Sequence, residues 1–148
     1  MPTPAVDLRE LGWHEAAGPL SFDGLRGRVF VVVELNLGSS LCLRHSLPQA
    51  RAMRRAFPES SVGVLGLVSA GLEGIPEEEH RRLGRCAGID FPFAVLPGPA
   101  PTSDPGCVML FGPCGRIAAS YAGPVSDSEL GRAIGRLLAE PALPPTAC

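Results

Sequence analysis

The stretch Val29-Phe30-Val31-Val32-Val33-Glu34-Leu35-Asn36-Leu37-Gly38-Ser39-Ser40-Leu41-Cys42 decides the fold. Val29–Leu35 is a β-branched, apolar run interrupted only by Glu34, which fits a central strand buried on both faces. Asn36–Ser40 is a polar turn. Beyond it the apolar spacing becomes helical: Leu43, Leu47, Ala50, Met53 and Phe57 fall on one face, with Arg51, Arg54 and Arg55 outside. Pro48 lies within this helix and is expected to kink it or weaken its first turns. Val62–Val68 reads as a second buried strand. Strand, helix and strand in that order imply a right-handed parallel crossover.

Upstream, Leu20–Phe22 and Gly24–Gly27 read as a short hairpin edge leading into the first strand. Downstream, Pro76 opens a helix with Glu77, Glu78 and Glu79 in its first turn and Arg81, Arg82 and Arg85 near its end, which suits the helix dipole. Gly88 is its expected stop. Phe91–Leu96 reads as a short extended segment. The stretch Pro97–Gly106 is too rich in proline for regular structure. Cys107–Phe111 and Arg116–Tyr121 flank Gly112-Pro113-Cys114-Gly115, the pattern of a hairpin. Ser126-x-x-Glu129 is a capping box before Leu130, Ala133, Ile134, Leu137 and Leu138 on one helical face. The order β-α-β-α-β-β-α predicts an α/β sandwich. Residues 1–17 form an N-terminal extension, 18–140 the domain and 141–148 a frayed tail.

Composition narrows the function. The chain has 148 residues, 45% of them hydrophobic and 19% charged, enough for one domain with a real core. Its net charge is −2, so no large positive field favours nucleic acid. All 13 basic residues are arginine, which excludes Schiff-base and P-loop lysine mechanisms. No apolar run reaches the ~20 residues of a membrane span, and Met1–Glu10 lacks the pattern of a signal peptide. A cytoplasmic location is the resulting expectation. Cys42, Cys86, Cys107, Cys114 and Cys148 are an odd number of cysteines without C-x-x-C or zinc-finger spacing, and His14, His45 and His80 are scattered. Neither a metal nor a cofactor is expected.

The segment Leu25-Arg26-Gly27-Arg28-Val29-Phe30-Val31-Val32-Val33 resembles the strand opening of the redoxin branch of the thioredoxin fold. That branch contains TlpA/ResA-like thiol–disulfide oxidoreductases and peroxiredoxins. Ser39-Ser40-Leu41-Cys42-Leu43-Arg44-His45-Ser46-Leu47-Pro48 stands where these proteins carry a reactive cysteine at a helix start, and Val108–Ile117 resembles their strand, G-P-x-G, strand hairpin. The resemblance spans residues 18–140. It implies a thioredoxin-like three-layer sandwich with a mixed central sheet and helices on both faces. The departures are as definite. Ser39-x-x-Cys42 replaces C-x-x-C, no proline precedes the cysteine as in peroxiredoxins, and the family's cis-proline or arginine position falls on Gly106, one residue from Pro105. Pro105 and Gly106 are the expected substrate-binding residues.

The resemblance puts Cys42 at a helix N-terminus, where amides and the dipole favour a thiolate. Arg44 and His45 would add positive charge, and Ser39 would hydrogen-bond the sulfur. The same fold brings the loop before the hairpin toward that helix start, so Cys107 is the expected resolving thiol. The plainer reading stands beside this one: a solitary cysteine behaves as a small buried hydrophobe. On that reading Cys107 starts a core strand, Cys86 packs in the core, Cys114 and Cys148 are free, and Arg44 and His45 line a solvated face. Asn36 and Ser39 would then only satisfy backbone groups at the strand end. Two functions therefore stay open. One is a thiol-dependent redox protein working through Cys42, with protein or low-molecular-weight thiols and disulfides as partners. The other is a thioredoxin-fold binding module without redox activity. A thiol peroxidase is the weaker third option, and a dimer is compatible with the domain's size.

Overall fold

The computed structural model describes residues 12–14, 27–96, 107–122 and 124–140. The strand read from Val29–Leu35 is β2, Val29–Asn36. It pairs in parallel with β3, Val62–Ala70, and antiparallel with β5, Val108–Phe111. Two strands beyond β3 and one beyond β5 complete a mixed six-stranded sheet in the order β1-β4-β3-β2-β5-β6, with β1 at Trp13–His14, β4 at Phe93–Val95 and β6 at Ile117–Tyr121. β4 continues the parallel set beside β3, and the β5–β6 hairpin is antiparallel. Both edges of β2 are thus paired, and its apolar residues are buried on both faces of the sheet.

Alternation along β2 divides the core. Val29, Val31, Val33 and Leu35 join one cluster with Phe91, Phe93, Val108 and Leu110, whereas Phe30 and Val32 join Leu65, Leu67, Ala94 and Met109 on the other face. Helix α1, Leu47–Ala56, brings Leu47, Ala50 and Met53 to the first cluster, and α3, Asp127–Ala139, brings Leu130 and Ile134. Leu83 of α2, Glu77–Ala87, packs there as well. All three described helices therefore lie on one face. The expected helical layer on the other face is not among the described residues.

The helix ends follow local chemistry. Pro76 caps α2, whose first turn holds Glu77, Glu78 and Glu79, and Gly88 ends it at φ 99°, a left-handed conformation that suits a residue without Cβ. Ser126 Oγ accepts the Glu129 amide at 3.1 Å and starts α3. Gly84, inside α2, lies so close to β4 that a Cβ there would run into the Phe93 ring. Arg51, Arg54 and Arg55 share Asp90 at 3.8–3.9 Å on the surface. Exposed pairs of this length add little stability.

Several sequence expectations change. Leu43 and Leu138 are 38% and 41% exposed, so neither belongs to the buried face assigned to it. Cys86 is exposed, not core, because it lies on the solvent side of α2. Cys114 is disulfide-bonded, not free. The hairpin read over Leu20–Gly27, the Pro97–Gly106 loop and the tail from residue 141 lie outside the described residues, Gly27 excepted. No described helix is long and apolar enough to cross a membrane.

Candidate functional site

The loop after β2 is organised by three residues spaced three apart. The Asn36 amide donates to Cys42 Sγ at 3.3 Å. The Cys42 amide donates to Ser39 Oγ at 3.2 Å, and the Ser39 amide donates to the Asn36 carbonyl at 3.1 Å. Asn36 Oδ1 also accepts the Gly38 amide at 2.9 Å, an Asx turn.

Strand geometry explains why an amide meets the sulfur. Alternate residues of β2 direct their amides to the same neighbour. The Glu34 amide donates to the carbonyl of Cys107, the residue before β5, at 2.9 Å. Two residues on, the Asn36 amide has the same sense, but β5 pairing ends at Val33 opposite Val108. Cys42 Sγ takes the place of the next carbonyl. Leu37, directed the other way, donates to the Ala70 carbonyl at 2.9 Å.

Cys42 itself is fully buried and packs in the helix-side cluster. Its helix opens with one α-type bond, from the Leu43 amide to the Ser39 carbonyl at 3.1 Å, and then widens. Cys42–Ser46 is a π turn, closed by the Leu47 amide on the Cys42 carbonyl, and α1 follows directly. Pro48 supplies the reason. It has no N–H for the carbonyl four residues back, so the winding before it widens. The expected proline disturbance is present, but as a π turn.

Two side chains fasten this turn to the start of α3. His45 Nε2–H donates to the Val125 carbonyl at 2.9 Å. Gln49 Nε2 donates to the same carbonyl at 2.6 Å and to Asp127 Oδ1 at 2.9 Å. His45 is thus engaged in tertiary structure and does not line a purely solvated face. Arg44 is exposed, as are Leu41 and Leu43 on either side of Cys42, at 41% and 38%.

Cys107 belongs to a different environment. It packs against the opposite cluster, and its amide and thiol both donate to Glu34 Oε2, at 3.3 and 3.4 Å. Burial, then the hydrogen bond and the charge of Glu34, push the thiol up to about 11. Glu34 Oε1 is buried without a hydrogen-bond partner. The expected Cys42–Cys107 couple is not brought together. The two residues pack against opposite faces of the sheet, neither is in a disulfide, and Cys107 is held protonated at neutral pH.

Pro105 and Gly106 lie outside the described residues. No group of three or more potential metal ligands occurs among the described residues. The sequence reading passed over Glu34 as a functional residue. Its signal was a carboxylate inside an otherwise unbroken buried run, which costs free energy unless the charge finds donors.

No family model matches the chain, and neither does any curated protein. Solved structures do. A thioredoxin-like superfamily protein is 30% identical over 89% of this chain and 94% of its own, with a TM-score of 0.77. A thiol-disulfide isomerase from Corynebacterium glutamicum is 32% identical over 93% of this chain and 97% of its own, also at 0.77. This chain belongs to the thioredoxin-like superfamily. A thioredoxin-like protein in its oxidised form, 16% identical at a TM-score of 0.64, shares the fold. Within this thioredoxin-like protein the helix start keeps one cysteine of the Ser39-x-x-Cys42 segment, so a disulfide inside that segment cannot form. What the geometry offers there is a single sulfur with an amide donor on it, a charge-assisted bond whenever the sulfur is a thiolate.

Proposed function

We propose that this thioredoxin-like protein exchanges thiols and disulfides through Cys42 alone, by way of a mixed disulfide. The carrying observation is the Asn36 amide on Cys42 Sγ at 3.3 Å. A donor in that place favours the thiolate, the nucleophilic form. The thiolate attacks one sulfur of a partner disulfide, forms Cys42–S–S–R and releases the other half as a thiolate. A second thiol from outside the chain then attacks the mixed disulfide, leaves as the new disulfide and returns Cys42. Ser39 holds the Cys42 amide, and Leu41 and Leu43 offer apolar surface to the partner. Arg44, on the exposed side of the turn, supplies charge for an anionic partner. The full burial of Cys42 requires the loop to open before attack. The thiol-disulfide isomerase among the similar structures supports the reaction class.

The burial of Cys42 favours a second reading, a partner-binding module with no turnover. Incubation with glutathione disulfide separates the two. In a Cys86→Ser background, mass spectrometry should find a native-state adduct on Cys42 that Cys42→Ser lacks. An unmodified Cys42 in folded protein would leave the binding module.

A further inference from the structure

We infer that the side chain of Asn36 is a positioning residue for the Cys42 sulfur, an inference that rests on the thiol-exchange reading above. The sulfur meets the main chain of Asn36, so side-chain chemistry at residue 36 does not touch the reacting atom. It acts by fixing the peptide that does. The carboxamide oxygen accepts the Gly38 amide at 2.9 Å, while the carbonyl of the same residue accepts the Ser39 amide at 3.1 Å. Both bonds turn the chain sharply at the end of β2. They also place Ser39, whose hydroxyl oxygen takes the Cys42 amide at 3.2 Å.

The strand alone does not hold the Asn36 peptide in this orientation. The β2–β3 register slips between Leu35 and Asn36, where Leu35 faces Val68 and Asn36 faces Ala70. Ser69 is the extra residue of this bulge. A bulge weakens the ladder locally and lets the following peptide re-aim. Local side-chain to backbone bonds are the usual means of fixing such a peptide, and asparagine is suited to them. With the Asx turn removed, Asn36 would keep its amide but lose the constraint that directs it at the sulfur. Less thiolate would then be present at a given pH.

The test is a pH titration of Cys42 in the full chain, followed by the 13Cβ shift of labelled cysteine, with Cys42→Ser assigning the signal. Asn36→Ala should raise the midpoint by about one pH unit, a tenfold loss of thiolate at neutral pH. Asn36→Ser, whose hydroxyl can accept the Gly38 amide, should restore it. A purely structural role would lower the melting temperature and leave the midpoint in place. An unmoved midpoint in Asn36→Ala, or a raised one that serine does not bring back, overturns the inference. If Asn36→Ala does not fold, the wild-type chain carries the test. The Asn36 and Gly38 amide shifts must then titrate together with Cys42 Cβ, and independence between them overturns it. The glutathione adduct is a separate readout. Exchange at Cys42 with an unmoved midpoint removes only the role of Asn36, and a moved midpoint without any adduct removes only the exchange reading.

Discussion

The carboxylate of Glu34 accepts both hydrogen atoms that Cys107 has to offer, from its amide at 3.3 Å and from its thiol at 3.4 Å. The pair bridges β2 to the residue before β5 on the sheet face opposite α1. It turns a thiol that sequence position suggests as a resolving group into a hydrogen-bond donor. The acid at the end of an apolar run and the cysteine before the hairpin explain each other.

Replacing Glu34 by glutamine should therefore free the Cys107 thiol. Burial would still raise it, but the charge of Glu34 would be gone, so its midpoint should fall from about 11 toward the ordinary 9.0. Iodoacetamide labelling of Cys107 against pH checks this, and an unchanged profile would show that burial alone sets the value. The same pair makes stability depend on alkaline pH. The folded value is the raised one, so the contribution is complete below about pH 9 and is lost as pH climbs through about 11. Thermal melts of wild type and Glu34→Gln should converge across that range.

The thiols should label in a definite order. Cys86, exposed on α2, should react first in native protein. Cys107 and Cys42 should lag, the former half-buried and protonated, the latter fully enclosed. Cys114 should react only after reduction, since it is disulfide-bonded. Peptide mapping with and without reductant reads all four, and rapid labelling of Cys42 in folded protein would contradict its burial.

Pro48→Ala supplies the N–H whose absence accompanies the π turn. The turn should tighten toward α geometry, and the Leu47 amide should exchange its Cys42 partner for Leu43. Shortening the winding by one residue rotates Cys42 out of the core cluster. Amide hydrogen exchange at Leu47 and the rate of Cys42 alkylation should both change, the second upward. An alkylation rate equal to that of wild type would mean that the turn is fixed by His45 and Gln49 on Val125 instead.

Gly84→Ala should destabilise the fold although alanine is the better helix former. Its methyl group would enter the space of the Phe93 ring, which is fully buried and has little room to move. Overpacking of this kind costs about 1–3 kcal/mol, against about 1 kcal/mol of helix propensity gained. Urea denaturation measures the difference. Combining the change with Phe93→Leu should recover part of the loss.

The sequence by itself determined most of the order of strands and helices; the structure adds β4 at Phe93–Val95, read only as an extended segment, and β1 at Trp13–His14, within the expected extension. The apolar run at Val29–Leu35, the helical spacing after Cys42, the Ser126 cap and the Gly88 stop are local signals set by backbone and side-chain chemistry within a few residues. It also placed Cys42 at a helix start and showed that no second cysteine completes the motif. The tertiary structure alone decided what surrounds each sulfur. Whether Cys107 meets Cys42 or Glu34 depends on which face of the sheet it occupies, and that is set by the pairing register between β2 and β5, residues more than seventy apart. The bond from Asn36 to Cys42 likewise depends on where β5 pairing stops and on the slip between β2 and β3. Hydrogen bonds across a sheet follow from register, and register is a property of the assembled strands, not of any one of them.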